Sequence, residues 1–408
     1  MATPGSGRLD LGELLAAVEN ASPIAAADVL AEVLADALGA FDVSFLIADF
    51  AGGALVRLGH AGSDAASRIQ GSETAERVPL DSSAQGRALE SQTVTIEPTA
   101  TGSRLLAPVT NRGEAIGVLD LTLAAAPEHQ AVADVALAAH VLAYVVIANR
   151  RFTDLYEWGQ RSVPLTLAAE IQHRLLPSAY TCEAGQFTLA AWLEPAGNVG
   201  GDTFDYSLER DTLHISMTDA MGHTVDASVL ATVLVGALRN ARRAGVGLAE
   251  QTRLASTGLG DFVRRGEFVT GQVARVDLRR GTATIVNAGH PPPMRLRDGR
   301  VEAVALEADP PFGIVAGVGY RVQPLTLEPG DRLMFVTDGM LDRVGDSVDI
   351  GALIEQGRDM HPREAVQHLI RAVLKATSGD LEDDATVMCL DWHGGRPRGR
   401  TTDFGANS

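Results

Sequence analysis

Leu213-His214-Ile215-Ser216-Met217-Thr218-Asp219-Ala220-Met221-Gly222-His223 is the stretch on which the reading of this chain turns. Residues 213–217 alternate apolar and polar side chains, the period of a half-buried strand. The strand runs straight into an aspartate and then a Gly-His pair. Three other segments repeat the theme. Gly200-Gly201 precede Asp202-Thr203-Phe204-Asp205, and two glycines let a backbone turn tightly or approach another closely. Phe335-Val336-Thr337 is an apolar run stopped by Asp338-Gly339. Asp383-Asp384 opens the apolar run 385–390.

A single Asp-Gly after a strand reads as a turn. Four carboxylates at strand ends of one domain carry more. Brought together without cations they repel and raise one another's pKa, and a divalent ion relieves this. A set made only of oxygen suits Mg²⁺ or Mn²⁺ better than zinc. Two such ions activate a water for in-line attack on a phosphate and neutralise phosphoryl charge. No covalent nucleophile competes: Cys182 and Cys389 lie in no signature context, and no G-x-S-x-G elbow occurs.

In order and spacing, these segments resemble the PPM family of metal-dependent protein phosphatases, its bacterial SpoIIE/RsbU-like branch above all. The resemblance covers about residues 165–392. It is carried by QHRLLP (172–177), PAGNVGGDTFDY (195–206), DAMGH (219–223), NAGHPPP (287–293), TDG (337–339) and DDAT (383–386). It implies an α-β-β-α sandwich and a protein-serine/threonine phosphatase using two Mn²⁺ or Mg²⁺ ions. Asp219 would bridge the metals and the Ala220 carbonyl would complete one site. Asp202, Asp338 and Asp383 would supply the other carboxylates, with Asp384 as neighbour or substitute. Asp205, Gly222, His223, His290 and Gly339 would surround the ligands. The implied substrate is a phosphorylated anti-anti-sigma (STAS) protein. Thr218 and Thr224 depart from the family, which carries glycine there. They keep open a second reading, a weak pseudo-phosphatase that binds its partner.

The N-terminal half orders a helix (26–38), strands (43–50 and 54–58), a short helix opened by Asp81 or Ser82 (82–90), strands (93–96, 103–109 and 115–123) and a long helix. This suggests a small antiparallel sheet covered by helices. Gly86-Arg87-Ala88-Leu89, 93–96, 105–109 and 115–121 resemble a GAF sensor domain, which implies a small-molecule ligand or a dimerisation role. Within 128–158, Val135, Leu142, Asn149 and Tyr156 fall at one heptad position and Ala138, Val145 and Phe152 at the other, so this helix is predicted to pair in a homodimer with Asn149 setting register.

The expected organisation is a flexible leader (1–20), a GAF-like domain (21–150), a helical linker (151–178), the phosphatase domain (179–393) and a disordered tail (394–408). The overall class is α/β (α+β). With 408 residues, 46% hydrophobic and 21% charged, the chain has material for two cores. A net charge of −18 argues against nucleic acid and anionic membrane as partners. Two cysteines and the absence of a signal-like start predict a cytoplasmic protein. The apolar run 135–148 is shorter than a bilayer span.

Overall fold

The computed structural model describes residues 9–49, 52–61, 76–161, 165–195, 200–222, 225–264, 266–315, 317–341, 348–379 and 381–396. The chain divides between residues 164 and 165 into two compact units.

The first unit contains α1 (Leu11–Asn20), α2 (Ala26–Leu38), β1 (Ala40–Ala48), β2 (Ala54–Ala61), β3 (Arg77–Pro79), α3 (Ala84–Ser91), β4 (Thr95–Thr99), β5 (Gly102–Asn111), β6 (Glu114–Leu123), α4 (His129–Asn149) and α5 (Leu155–Gly159). The strands form one antiparallel sheet in the order β3-β2-β1-β6-β5-β4. Alternation along β1 sends Phe45 and Ile47 to one face, where α1, α2, α4 and α5 pack. Leu46 goes to the other, under Ala88 and Leu89 of α3. The β5–β6 hairpin closes through Arg112 and Gly113, both at positive φ (47° and 86°), the backbone of a two-residue turn.

Three expectations need correction here. Residues 11–20 are a helix, not part of a flexible leader. Asp10 caps it by accepting from the amides of Gly12 and Glu13, and Leu14 and Val18, one turn apart, are buried in the core. The helix α3 is capped by Ser83, whose hydroxyl accepts from the Gly86 amide, and not by Asp81 or Ser82. The single helix expected over 128–158 is two. The helix α4 ends at Asn149, and the Thr153 hydroxyl accepts from the Leu155 amide to start α5. A Cβ at Gly159 would lie 2.7 Å from Leu58 and 2.9 Å from Ile47, so α5 folds back tightly on the sheet and buries Tyr156.

The expected dimer seam is occupied accordingly. Val135, Ala138, Leu142 and Val145 are buried in the first unit's own core, and Asn149 donates to the Val145 carbonyl within its helix. At 21 residues α4 is long and apolar enough to cross a membrane by length and composition, contrary to the estimate from 135–148, but its inner face belongs to this core.

The second unit opens with α6 (Leu167–Leu175), so the segment read as a linker is shared between the units. There follow β7 (Thr181–Glu183), β8 (Phe187–Glu194), β9 (Asp202–Leu208), β10 (Thr212–Ala220), α7 (Val225–Arg243), α8 (Leu248–Gly260), β11 (Val269–Asp277), β12 (Thr282–Ala288), β13 (Met294–Arg297), β14 (Arg300–Ala303), β15 (Gln323–Thr326), β16 (Arg332–Val336), a 3-10 turn (Asp338–Met340), α9 (Ile350–Gln356), α10 (Pro362–Ala376) and β17 (Ala385–Trp392). Two antiparallel sheets form, β15-β12-β11-β10-β9 and β14-β13-β16-β17-β8-β7. Phe204, Ile215, Met217 and Ile285 of the first meet Leu189, Phe335, Met388 and Trp392 of the second in the inter-sheet core. The helices α7 and α8 cover the outer face of one sheet, and α9 and α10 that of the other. This is the α-β-β-α sandwich that the acidic motifs implied.

Candidate active site

The register of β9 on β10 sets Asp202 directly opposite Asp219. Both share strand parity with core residues, Asp202 with Phe204 and Asp219 with Met217. Their carboxylates therefore project into the end of the cleft between the sheets. The opposing sheet contributes Thr337, Asp338, Asp383, Asp384 and Thr386 from the end of β16 and the start of β17. Thr337 and Thr386 donate their hydroxyls to Asp202 Oδ2 at 2.8 and 2.5 Å, which ties the two sheets together at this point.

Two glycines make close approaches and a third takes a left-handed backbone. A Cβ at Gly201 would stand 2.4 Å from the Ala220 carbonyl oxygen, and one at Gly339 would stand 2.1 Å from the Asp384 carbonyl oxygen. Gly222 sits at φ +106°, which an L side chain rarely adopts.

The two neighbouring aspartates differ. Asp384 is buried, and its Oδ2 accepts from Gln172 Nε2 at 2.5 Å and the Gly201 amide at 3.2 Å, so it braces α6 and the glycine loop. Gln172 also donates to the Asp202 carbonyl. Asp383 is exposed, and its carboxylate accepts from the Asp384 amide.

Electrostatics mark the cluster. Burial first, and then the charges of Asp338, Asp383 and Asp384, push the Asp219 carboxyl up to about 7. Burial and the charges of Asp219 and Asp384 hold Asp202 well above the usual carboxylate range. Among the described residues, no three carboxylate, imidazole or thiol groups already enclose a common point for an ion. The donor chemistry nonetheless fits a hard divalent cation: the groups are oxygens, they come from four segments, and their mutual repulsion is what such a cation would relieve.

Other predicted residues lie elsewhere. Asp205 faces away from the cleft and pairs with Arg239 (2.8 Å) and Arg242 (3.0 Å) of α7, so it anchors that helix and does not surround the ligands. Three residues along a strand reverse the face. His290 is buried near the cleft. Its amide donates to Asn287 Oδ1, and its Nδ1 lies 3.0 Å from the hydroxyl of Thr270, the residue opposite Asp219 on β11. His223 and Thr224 lie outside the described residues.

Thr218 does not crowd Asp219. It is 1% exposed, points to the opposite face and meets the Thr203 hydroxyl at 2.5 Å. The glycine that makes room is across the ladder at Gly271, where a Cβ would lie 2.8 Å from Thr218 Cγ2. Thr218→Gly is therefore expected to change turnover by less than about tenfold. It should lower stability by about 1–3 kcal/mol, since Thr203 loses a buried partner. Urea unfolding beside a phosphate-release assay checks both.

Burial pushes the His290 imidazole down to about 4, so it stays neutral in the folded chain. The unfolded chain takes up that proton near pH 6.5. Stability from this group is thus complete above pH 6.5 and is lost as pH falls toward 4, a loss of about 3 kcal/mol. The urea midpoint of wild type should fall more steeply than that of His290→Gln between pH 7.5 and 4.5, and parallel curves would refute this.

Gln172, Thr337, Thr386, Thr270 and Gly271 were not singled out from the sequence as site residues. Thr337 and Thr386 were discoverable as the hydroxyls within TDG and DDAT.

The SpoIIE family (stage II sporulation protein E) matches residues 209–393, which hold Asp219, Asp338 and Asp383. Over those residues the C-terminal unit carries a SpoIIE-type domain. Asp202, on β9, and Gln172, on α6, lie upstream of the matched segment. Two curated relatives from Bacillus subtilis (strain 168) are similar. Phosphoserine phosphatase RsbU is 22% identical over 235 residues, 55% of this chain and 69% of RsbU. Phosphoserine phosphatase RsbP is 22% identical over 237 residues, 56% of this chain and 57% of RsbP. Among solved structures, the SiaA-PP2C domain of Pseudomonas aeruginosa superposes with a TM-score of 0.47 at 19% identity, over 60% of this chain and 98% of that one.

Proposed function

We propose that the chain removes phosphate from phosphoserine or phosphothreonine of a regulatory protein, an anti-anti-sigma (STAS) factor, in the cytoplasm. The N-terminal unit, a GAF-like sensor for a small ligand, would control it. The observation that carries the reading is the Asp202–Asp219 cross-strand pair at the cleft end, facing Asp338 and Asp383 from the opposite sheet. The names of RsbU and RsbP, both phosphoserine phosphatases, support it.

Asp202, Asp219, Asp338, Asp383 and the Ala220 carbonyl would hold two Mn²⁺ or Mg²⁺ ions. When bound, these would supply an activated water and neutralise phosphoryl charge. The chain's own part is positioning. Thr337 and Thr386 fix the Asp202 carboxylate, and Asp384 and Gln172 fix the Gly201 loop. Gly201 and Gly339 let backbones approach where a side chain would part them. The alternative of a binding-only pseudo-phosphatase leaned on Thr218 and Thr224. Thr218 turns away from the cleft, so no described residue favours it.

The test is phosphate release from a phosphoserine-bearing STAS protein with Mn²⁺ and with excess chelator. Release that needs the metal and stops with chelator is expected. Release that persists in chelator, or none from wild type with Mn²⁺, overturns the reading.

A further inference from the structure

Exposed apolar side chains of the second unit gather around the end of β10 that carries Asp219. Leu167 (65% exposed), Met221 (53%), Val225, Val229, Phe262 (57%) and Ile314 come from four segments. The backbone brings these segments together. The Met221 amide donates to the Phe268 carbonyl, and the next residue, Val269, exchanges two hydrogen bonds with Phe312. Gly313 sits against Leu259 and Val263, beside Phe262. Arg264 pairs with Asp226 in the first turn of α7, between Val225 and Val229. Ser228 donates to the Ala168 carbonyl, which sets the start of α6 and Leu167 beside that turn.

We propose that this patch is the docking surface for the folded phosphoprotein substrate, a partner with an apolar face beside its phosphorylated residue. This rests on the phosphatase reading and adds to it where the partner sits. Two observations choose this occupant. The patch is built on the loop and helix start that directly follow Asp219 and Ala220, so whatever delivers a phosphorylated side chain to that end of the cleft passes over it. The chain carries a net charge of −18 and must bind a dianionic group. Long-range electrostatics oppose that encounter, and short-range burial of apolar surface is the interaction able to offset it. A second copy of this chain is disfavoured by the same charge, and by the blocking of the cleft it would cause.

The experiment compares full-length wild type with Val229→Asp, Phe262→Asp and Leu167→Asp on two substrates in Mn²⁺, the folded phosphoserine protein and p-nitrophenyl phosphate. KM for the protein should rise about tenfold or more, with kcat/KM for p-nitrophenyl phosphate unchanged. Unchanged KM for the protein overturns the proposal, and so does an equal loss on both substrates, which would make the patch a support of the cleft. A wild-type dimer that the substitutions dissociate overturns it in favour of self-association. Wild type inert toward p-nitrophenyl phosphate would instead count against the phosphatase reading. Docking is then read separately, by titrating the phosphoprotein onto Asp338→Asn with and without Val229→Asp. Tenfold weaker binding supports docking, and equal binding refutes it.

Discussion

Asp338→Asn lowers metal-dependent phosphate release by on the order of 10³-fold or more. Asp338 starts the 3-10 turn after β16, two residues beyond the core strand, so its position is set by a rigid element and not by a free loop. After burial, its charge does most to raise the Asp219 pKa. Asparagine keeps the shape and removes the charge. It leaves one anionic donor fewer for a divalent cation, which binds through such donors. A control separates this from misfolding. Without metal, the variant removes one of the carboxylates that crowd Asp219, so it should melt at or above the wild-type temperature. The rise in Tm that Mn²⁺ gives wild type should shrink or vanish. Equal Mn²⁺ stabilisation of both proteins, or near-wild-type turnover, would remove Asp338 from the site.

Gly339→Ala is the second large effect, and it acts through backbone alone. The added Cβ would lie 2.1 Å from the Asp384 carbonyl oxygen, 2.9 Å from its carbon and 3.3 Å from the Asp383 carbonyl oxygen. None of these is the yielding end of a side chain. The Asp338 turn and the Asp383–Asp384 segment must separate, which moves donors on both. Turnover should fall by about 10²-fold or more, with a stability loss of about 1–3 kcal/mol. Gly236→Ala is the matched control. It lies inside α7 with nothing within 4 Å of its would-be Cβ. Alanine there should add up to about 1 kcal/mol of helix stability and leave turnover unchanged. Similar activity in the two variants would show that the close approach at Gly339 is not needed.

Much of the second unit was legible because its elements repeat clearly. The sequence pattern by itself marks strands at 213–218, 282–287 and 332–337 and helices at 226–243 and 362–375, each within two residues of the structure, since period 2 and period 3.6 are local signals. The strand β9 was not legible. No strand was read over Asp202–Leu208, only an acidic segment after two glycines, because a strand interrupted by carboxylates does not resemble one until its partner is known. The helix α1 was missed for another reason: its apolar stripe of Leu11, Leu14, Leu15 and Val18 is one face of ten residues beside an irregular start, and only the core it fills reveals its worth.

The sequence by itself determined the chemistry of the site: which residue types end the strands, that all the donors are oxygen, and which glycines precede or follow them. These follow from residue identity and nearest neighbours. Tertiary structure alone decided the roles within the set. Register placed Asp202 against Asp219 and turned Asp205 and Thr218 to the helical face. The packing of β17 buried Asp384 as a brace and left Asp383 exposed. Packing in the first unit buried Val135, Ala138, Leu142, Val145 and Tyr156 of the expected dimer seam in its own core and left Phe152 exposed. Cross-strand register and the choice between two adjacent carboxylates depend on contacts between residues far apart in the chain, up to 212 positions for Gln172 and Asp384, and local periodicity holds no record of them.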